Sequence, residues 1–100
     1  MSKLIIVSKD KSIIAFHPGV YLKDWLKSTH TSVKKFAQLS NISIDFVKGF
    51  VKGKRDLAKS YGQIYAARIA RVVGTTPNFW INLQYNFDKA KEQIEKQENK

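Results

Sequence analysis

One hundred residues are enough for one compact domain with a single core, and a chain that is 43% apolar and 12% aromatic is not one that is disordered throughout. The absence of cysteine excludes disulfides, thiolate metal sites and cysteine nucleophiles. The longest early apolar run, Leu4 to Val7, is too short for a membrane span or the core of a signal peptide, so the reading is a cytoplasmic protein. Eighteen Lys and Arg against 8 Asp and Glu leave a net charge of +10, a field that attracts polyanions and makes nucleic acid the first partner to consider.

In chain order, Leu4–Val7 and Ile13–Phe16 are β-rich runs separated by a polar stretch, which predicts a short β-hairpin or arm over residues 1–16. Two strands alone are marginal in water, so this arm must pack on the domain, a second subunit or a partner. From Pro18 the period changes to that of a helix: Leu22, Trp25 and Leu26 share one face, and the first helix runs to about Lys27. Ser32 caps a second helix that turns Val33, Phe36 and Ala37 inward and Lys34 and Lys35 outward, stopping near Ser40. Asn41 accepts the left-handed conformation of a tight turn, Ile42 plugs it inward, and Ser43 caps the next helix.

That third helix, Ile44 to Lys52, buries Val47, Phe50 and Val51, turns Asp45, Lys48, Gly49 and Lys52 outward, and ends at Gly53. Ile44 and Phe46 sit at the edges of the buried stripe, as core or as an apolar contact surface. Gly49 inside a helix costs about 1 kcal/mol relative to Ala, which calls for a close backbone approach to DNA or to another helix. A basic connection with Lys54, Arg55 and Lys59 leads to a fourth helix of about Ser60 to Val73, burying Tyr61, Tyr65, Ile69 and Val72 or Val73 and closed by Gly74. Thr76 and Pro77 open a fifth, in which Phe79, Trp80, Leu83 and Phe87 form a core or dimer seam. Beyond Asp88 the composition is charged, with pairs four residues apart worth only a few tenths of a kcal/mol each, and fraying is expected over this helix end or tail, 88–100.

A helix, tight turn and helix followed by a basic run match the needs of major-groove binding: a capped short helix reaching base edges, with flanking cations on phosphates. The candidate DNA-binding residues are Lys34, Lys35, Ser43, Asp45, Lys48, Lys52, Lys54, Arg55 and Lys59. Asp45 has a second role open to it, as an acid complementing the helix dipole. His17, before Pro18, reads as a helix-entry residue without a metal partner. No catalytic set, phosphate loop or zinc pattern is present, so neither an enzyme nor a cofactor is expected.

His17-Pro18-Gly19, Phe36-Ala37, Gly53-Lys54-Arg55, Ala66, Arg68-Ile69-Ala70 and above all Gly74 to Gln84 resemble the HigA-type antitoxins of the Xre-like helix-turn-helix group, over roughly His17 to Phe87. The resemblance implies an all-α, five-helix, lambda-repressor-like domain at 17–87. It also implies a homodimer that represses its own operon through double-stranded operator DNA and neutralises a RelE-like, mRNA-cleaving toxin by direct binding. Ser40, Asn41, Ile44, Phe46 and Gly49 depart from the family's usual residues, and the connection after Arg55 is longer than usual. Two other readings stay open: a stand-alone phage or plasmid regulator, and a protein-interaction module with degenerate base reading, motivated by Ile44, Phe46 and Gly49. Leu4, Ile5, Ile6 and Val7 are the candidate toxin contacts.

Overall fold

Proline at 18 fixes the chain for helix entry, Ser32 and Ser43 supply capping oxygens, and Asn41 and Gly74 supply left-handed stops; these local choices set the element boundaries. The computed structural model describes residues 4–98 and contains β1 (Ile5–Val7), β2 (Ile14–Phe16), α1 (Gly19–Ser28), α2 (Val33–Ser40), α3 (Ile44–Phe50), α4 (Gly62–Val73) and α5 (Pro77–Glu98). This is the five-helix helix-turn-helix fold with a short antiparallel hairpin in front. The sequence assignments at residues 1–3 and 99–100 lie outside the described residues.

The Ser32 hydroxyl accepts from the Lys35 N–H at 3.0 Å and the Ser43 hydroxyl from the Phe46 N–H at 3.2 Å. Asn41, at φ 59°, makes the turn between α2 and α3, and Ile42 is buried beneath it. The main core gathers Leu22, Leu26, Phe36, Val47, Phe50, Ile69 and Trp80. Trp80 is fully enclosed, and its indole N–H donates to the Thr75 hydroxyl at 2.7 Å. Among the described residues no helix is long and apolar enough to cross a membrane.

Some boundaries differ from the sequence reading. α3 ends at Phe50 and not at Lys52, because the Gly49 carbonyl accepts from the N–H groups of Lys52, Lys54 and Arg55, and Gly53 at φ 77° turns the chain away. Val51, expected inside, is half-buried in that turn. α4 starts at Gly62 and not at Ser60; Tyr61 is its flanking residue, and Tyr61 and Tyr65 are half-buried against Phe46. α5 runs on through the charged stretch to Glu98, and its end has something to pack on: Ile94 and Phe87 are buried with Ala15 of β2, with Ile6, Ile13 and Ala90 around them. This second, smaller core holds the hairpin onto the domain.

The seam predicted on α5 is therefore divided. Trp80 and the partly buried Leu83 belong to the main core, Phe87 belongs to the second, and Phe79 is exposed with its ring edge-on to Tyr21.

Candidate nucleic-acid interface

Helical spacing puts Phe46, Val47 and Phe50 on the inner side of α3 and Ile44, Asp45 and Lys48 on the outer. Phe46, left open as core or contact surface, is core: it stacks on Phe50 with centroids 5.7 Å apart and meets Tyr65 edge-on at 4.7 Å. Ile44 remains partly exposed beside the polar pair. The outer face of α3 thus offers one acid, one lysine and one apolar side chain.

Within the chain, what approaches Gly49 is not another helix but Arg55. A Cβ on Gly49 would collide with Arg55 Cγ, and the guanidinium carbon lies 5.4 Å from the centre of the Phe46 ring. Arg55 therefore leaves the basic connection and folds back along α3, its stem as packing and its charged end exposed. Ser43 spends one oxygen lone pair on the cap and keeps its hydroxyl proton to donate.

Lys34, Lys35, Lys48, Lys52, Lys54 and Lys59 are all exposed. Among the described residues the ion pairs are His17–Asp56 and Lys96–Glu92, so no carboxylate neutralises these lysines. Lys34 and Lys35 stand in the first turn of α2, which contains no acid. Cations there oppose the helix dipole by about 0.3–1 kcal/mol each at low ionic strength, so helix stability does not account for them. Asp45, in the first turn of α3, has the sign the dipole favours.

Several residues that position this surface were not visible in the sequence. Arg68 and Arg71 reach from α4 to the end of α2: their guanidinium N–H groups donate to the carbonyls of Asn41 and Leu39, each at 3.0 Å. They occupy carbonyls that the α2 terminus would otherwise leave to solvent, and so bolt the turn to α4.

The basic connection is held by a second device. His17 is fully buried between the rings of Phe50 and Phe87; its Nδ1 accepts from the Gly19 N–H at 2.9 Å, so Nε2 carries the proton donated to Asp56 Oδ1 at 2.8 Å. Gln84, buried on α5, accepts from the Leu57 N–H at 2.8 Å and donates to Asp56 at 3.2 Å and Asp88 at 3.0 Å. The only sequence signals were a histidine before proline and a lone glutamine among α5 aromatics.

The His17 hydrogen bond, helped by that from Gln84 and by the charge of Lys91, holds the Asp56 carboxyl below the usual 3.8 against the opposing effect of partial burial. A carboxyl lowered in the folded state contributes stability that is complete above its unfolded value and is lost as pH falls through the folded one. Acid unfolding below about pH 4 should therefore be less steep in Asp56→Asn, which should also be less stable at pH 7. Urea melts from pH 7 to 2.5 check this; a variant whose loss is the same at every pH would remove Asp56 from the acid response.

The fold, the tight turn and the unneutralised cations around it define a helix-turn-helix protein. No protein-family model and no curated protein matches the chain. Among solved structures, an addiction module antidote protein of the HigA family from Coxiella burnetii is 31% identical over 81% of this chain and 91% of its own, with a TM-score of 0.64. Antitoxin HigA of Pseudomonas aeruginosa, solved with the higBA promoter, is 25% identical over 84% of this chain and 88% of its own, with a TM-score of 0.74. A Nostoc punctiforme protein of a plasmid maintenance system, 24% identical over 85% of this chain and 89% of its own with a TM-score of 0.77, bears on the fold alone. The chain belongs to the HigA family of antitoxins.

Proposed function

We propose that this protein is an antitoxin that binds operator DNA as a homodimer, represses its own operon and neutralises a RelE-like, mRNA-cleaving toxin by direct contact. The observation that carries the DNA reading is the set of lysines without carboxylate partners around the turn and α3, on a fold whose Pseudomonas aeruginosa relative was solved with a promoter. In this reading Lys48 and Asp45 face base edges; Lys34, Lys35, Lys52, Lys54 and Lys59 hold phosphates; the Ser43 hydroxyl donates to a phosphate; and the exposed end of Arg55 reaches the backbone. Dimerisation follows from the need to engage two half-sites. Residues 17–87 do the DNA work, while 1–16 and 88–100 are free to serve the toxin.

The protein-interaction alternative rested on Ile44, Phe46 and Gly49. Phe46 lies in the core and Gly49 lies under Arg55, which leaves Ile44 as its one exposed support.

The test is binding to the protein's own upstream DNA against scrambled DNA across a salt series. Specific binding about a hundredfold or more above scrambled DNA, falling steeply with salt, is the expected result. Lys52→Ala should weaken binding to both DNAs alike and reduce the slope of log affinity against log salt by about 1, whereas Lys48→Ala should lower the specific preference by about tenfold. Equal affinity for both DNAs in the unaltered protein would end the repressor reading.

A further inference from the structure

The hairpin pairs Ile5 with Phe16, Ile6 with Ala15 and Val7 with Ile14, and the bonds from His17 N–H to the Leu4 carbonyl and from Ser8 N–H to the Ile13 carbonyl fix which residues bond across it. In an antiparallel ladder that alternation turns the N–H and C=O of Leu4, Ile6 and Ser8 toward β2, and those of Ile5 and Val7 away from it. Among the described residues the outer edge of β1 is therefore an unpaired strand edge. The side chains of Ile5, Val7, Ile14 and Phe16 share the outer face of the sheet and are each 45–49% exposed. A two-stranded sheet with an open edge and an apolar outer face is incomplete by itself.

The open edge of β1 faces a groove of about 460 Å³ lined by Ile5, Ile6, Val7, Lys91, Ile94, Glu95 and Glu98. Its other wall is the end of α5, where the charge of the molecule reverses. Residues 88–98 carry four acids, Asp88, Glu92, Glu95 and Glu98, against Lys89, Lys91 and Lys96, on a chain of net charge +10. Glu92 pairs with Lys96, and Lys91 is turned onto the Phe87 ring, 6.0 Å from its centre. Glu95 and Glu98 have no cation partner among the described residues.

We propose that the β1 edge and the acidic last turns of α5 form one docking groove for an extended, Lys- or Arg-bearing segment of the toxin, which joins β1 as a third strand. Backbone bonds to Ile5 and Val7 supply affinity, alternate side chains cover Ile94 or the outer apolar face, and cations on the segment meet Glu95 and Glu98. A second copy fits less well. Pairing β1 with its own copy about a two-fold axis would set the unpartnered glutamates of both along one seam, like charge against like.

This inference rests on the toxin-neutralising reading, and its experiment separates the two. The probe is the toxin encoded in the same operon, purified as an inactive variant and titrated calorimetrically into the full-length antitoxin. Val7→Pro removes an outward N–H without touching a bond to β2, and the double variant E95K/E98K reverses the groove's charge at exposed positions of α5. Each should weaken toxin binding at least about tenfold while operator affinity stays within about twofold. Unchanged toxin affinity in both variants would overturn the groove and leave neutralisation standing. No toxin binding by the unaltered protein would end the neutralisation reading and the groove's occupant with it. Conversion of a dimer to a monomer by Val7→Pro would assign the edge to a second copy and overturn the proposal.

Discussion

Gly19→Ala should cost this protein about 3 kcal/mol, at the upper end of what overpacking normally costs. A Cβ at residue 19 would land on the carbonyl oxygen of Phe50, with the carbonyl carbon 2.9 Å and His17 Nδ1 3.0 Å away. These atoms cannot give way cheaply: the carbonyl is backbone at the end of α3, and the imidazole is fully buried and bonded at both nitrogens. The first turn of α1 and the last turn of α3 are therefore in backbone contact, and a methyl group must drive them apart. Gly49→Ala is the matched comparison. There the obstacle is the flexible stem of the exposed Arg55, and a helix-interior alanine gains about 1 kcal/mol over glycine, so the net change should lie between zero and a slight gain. Urea midpoints at unchanged slope measure both. An equal loss at the two positions would mean that Arg55 is as fixed as backbone.

The second large effect is expected at His17. His17→Ala should destabilise by about 3–4 kcal/mol, since it empties a fully enclosed ring site between Phe50 and Phe87 and strips Asp56 of its principal donor. His17→Phe separates these contributions. It keeps a ring among rings but leaves the Gly19 N–H without its acceptor and Asp56 without its donor, a loss of about 1–3 kcal/mol. If His17→Phe were as stable as the unaltered protein, the hydrogen bonds would contribute nothing and His17 would be a packing residue only. Operator affinity measured beside stability adds a further reading. The network ties down the Asp56–Leu57 segment between Arg55 and Lys59, so loosening it should weaken DNA binding even where the fold survives.

The elements were legible where local chemistry decides them. Ser32, Asn41, Ser43, Gly74 and Pro77 each impose their own geometry on the next few residues, and all five stand where the sequence places them. Boundaries decided by distant partners were not legible. The end of α5 looks like a weak, charged helix until Ala15, some eighty positions earlier, is brought against Ile94. Gly49 declares that something must come close, but the helical period cannot say that a residue six positions later folds back over it. Likewise, Arg68 and Arg71 read as two more cations on a basic protein, because their acceptors are backbone carbonyls, which every sequence possesses and none displays.

The meeting of Ala15 with Phe87 and Ile94 has a consequence for the order of events during synthesis. The hairpin leaves the ribosome first, yet its inner face has nothing to lie on until α5 has been made. Closing so long a span costs chain entropy that only the finished second core offsets. Through most of translation both faces of an apolar two-stranded ribbon are therefore open, and the same small core, with few buried side chains of its own, is the unit that opens first in the finished protein. Cleavage by a protease that waits for such openings would begin at the two ends together and leave the helix-turn-helix body until last.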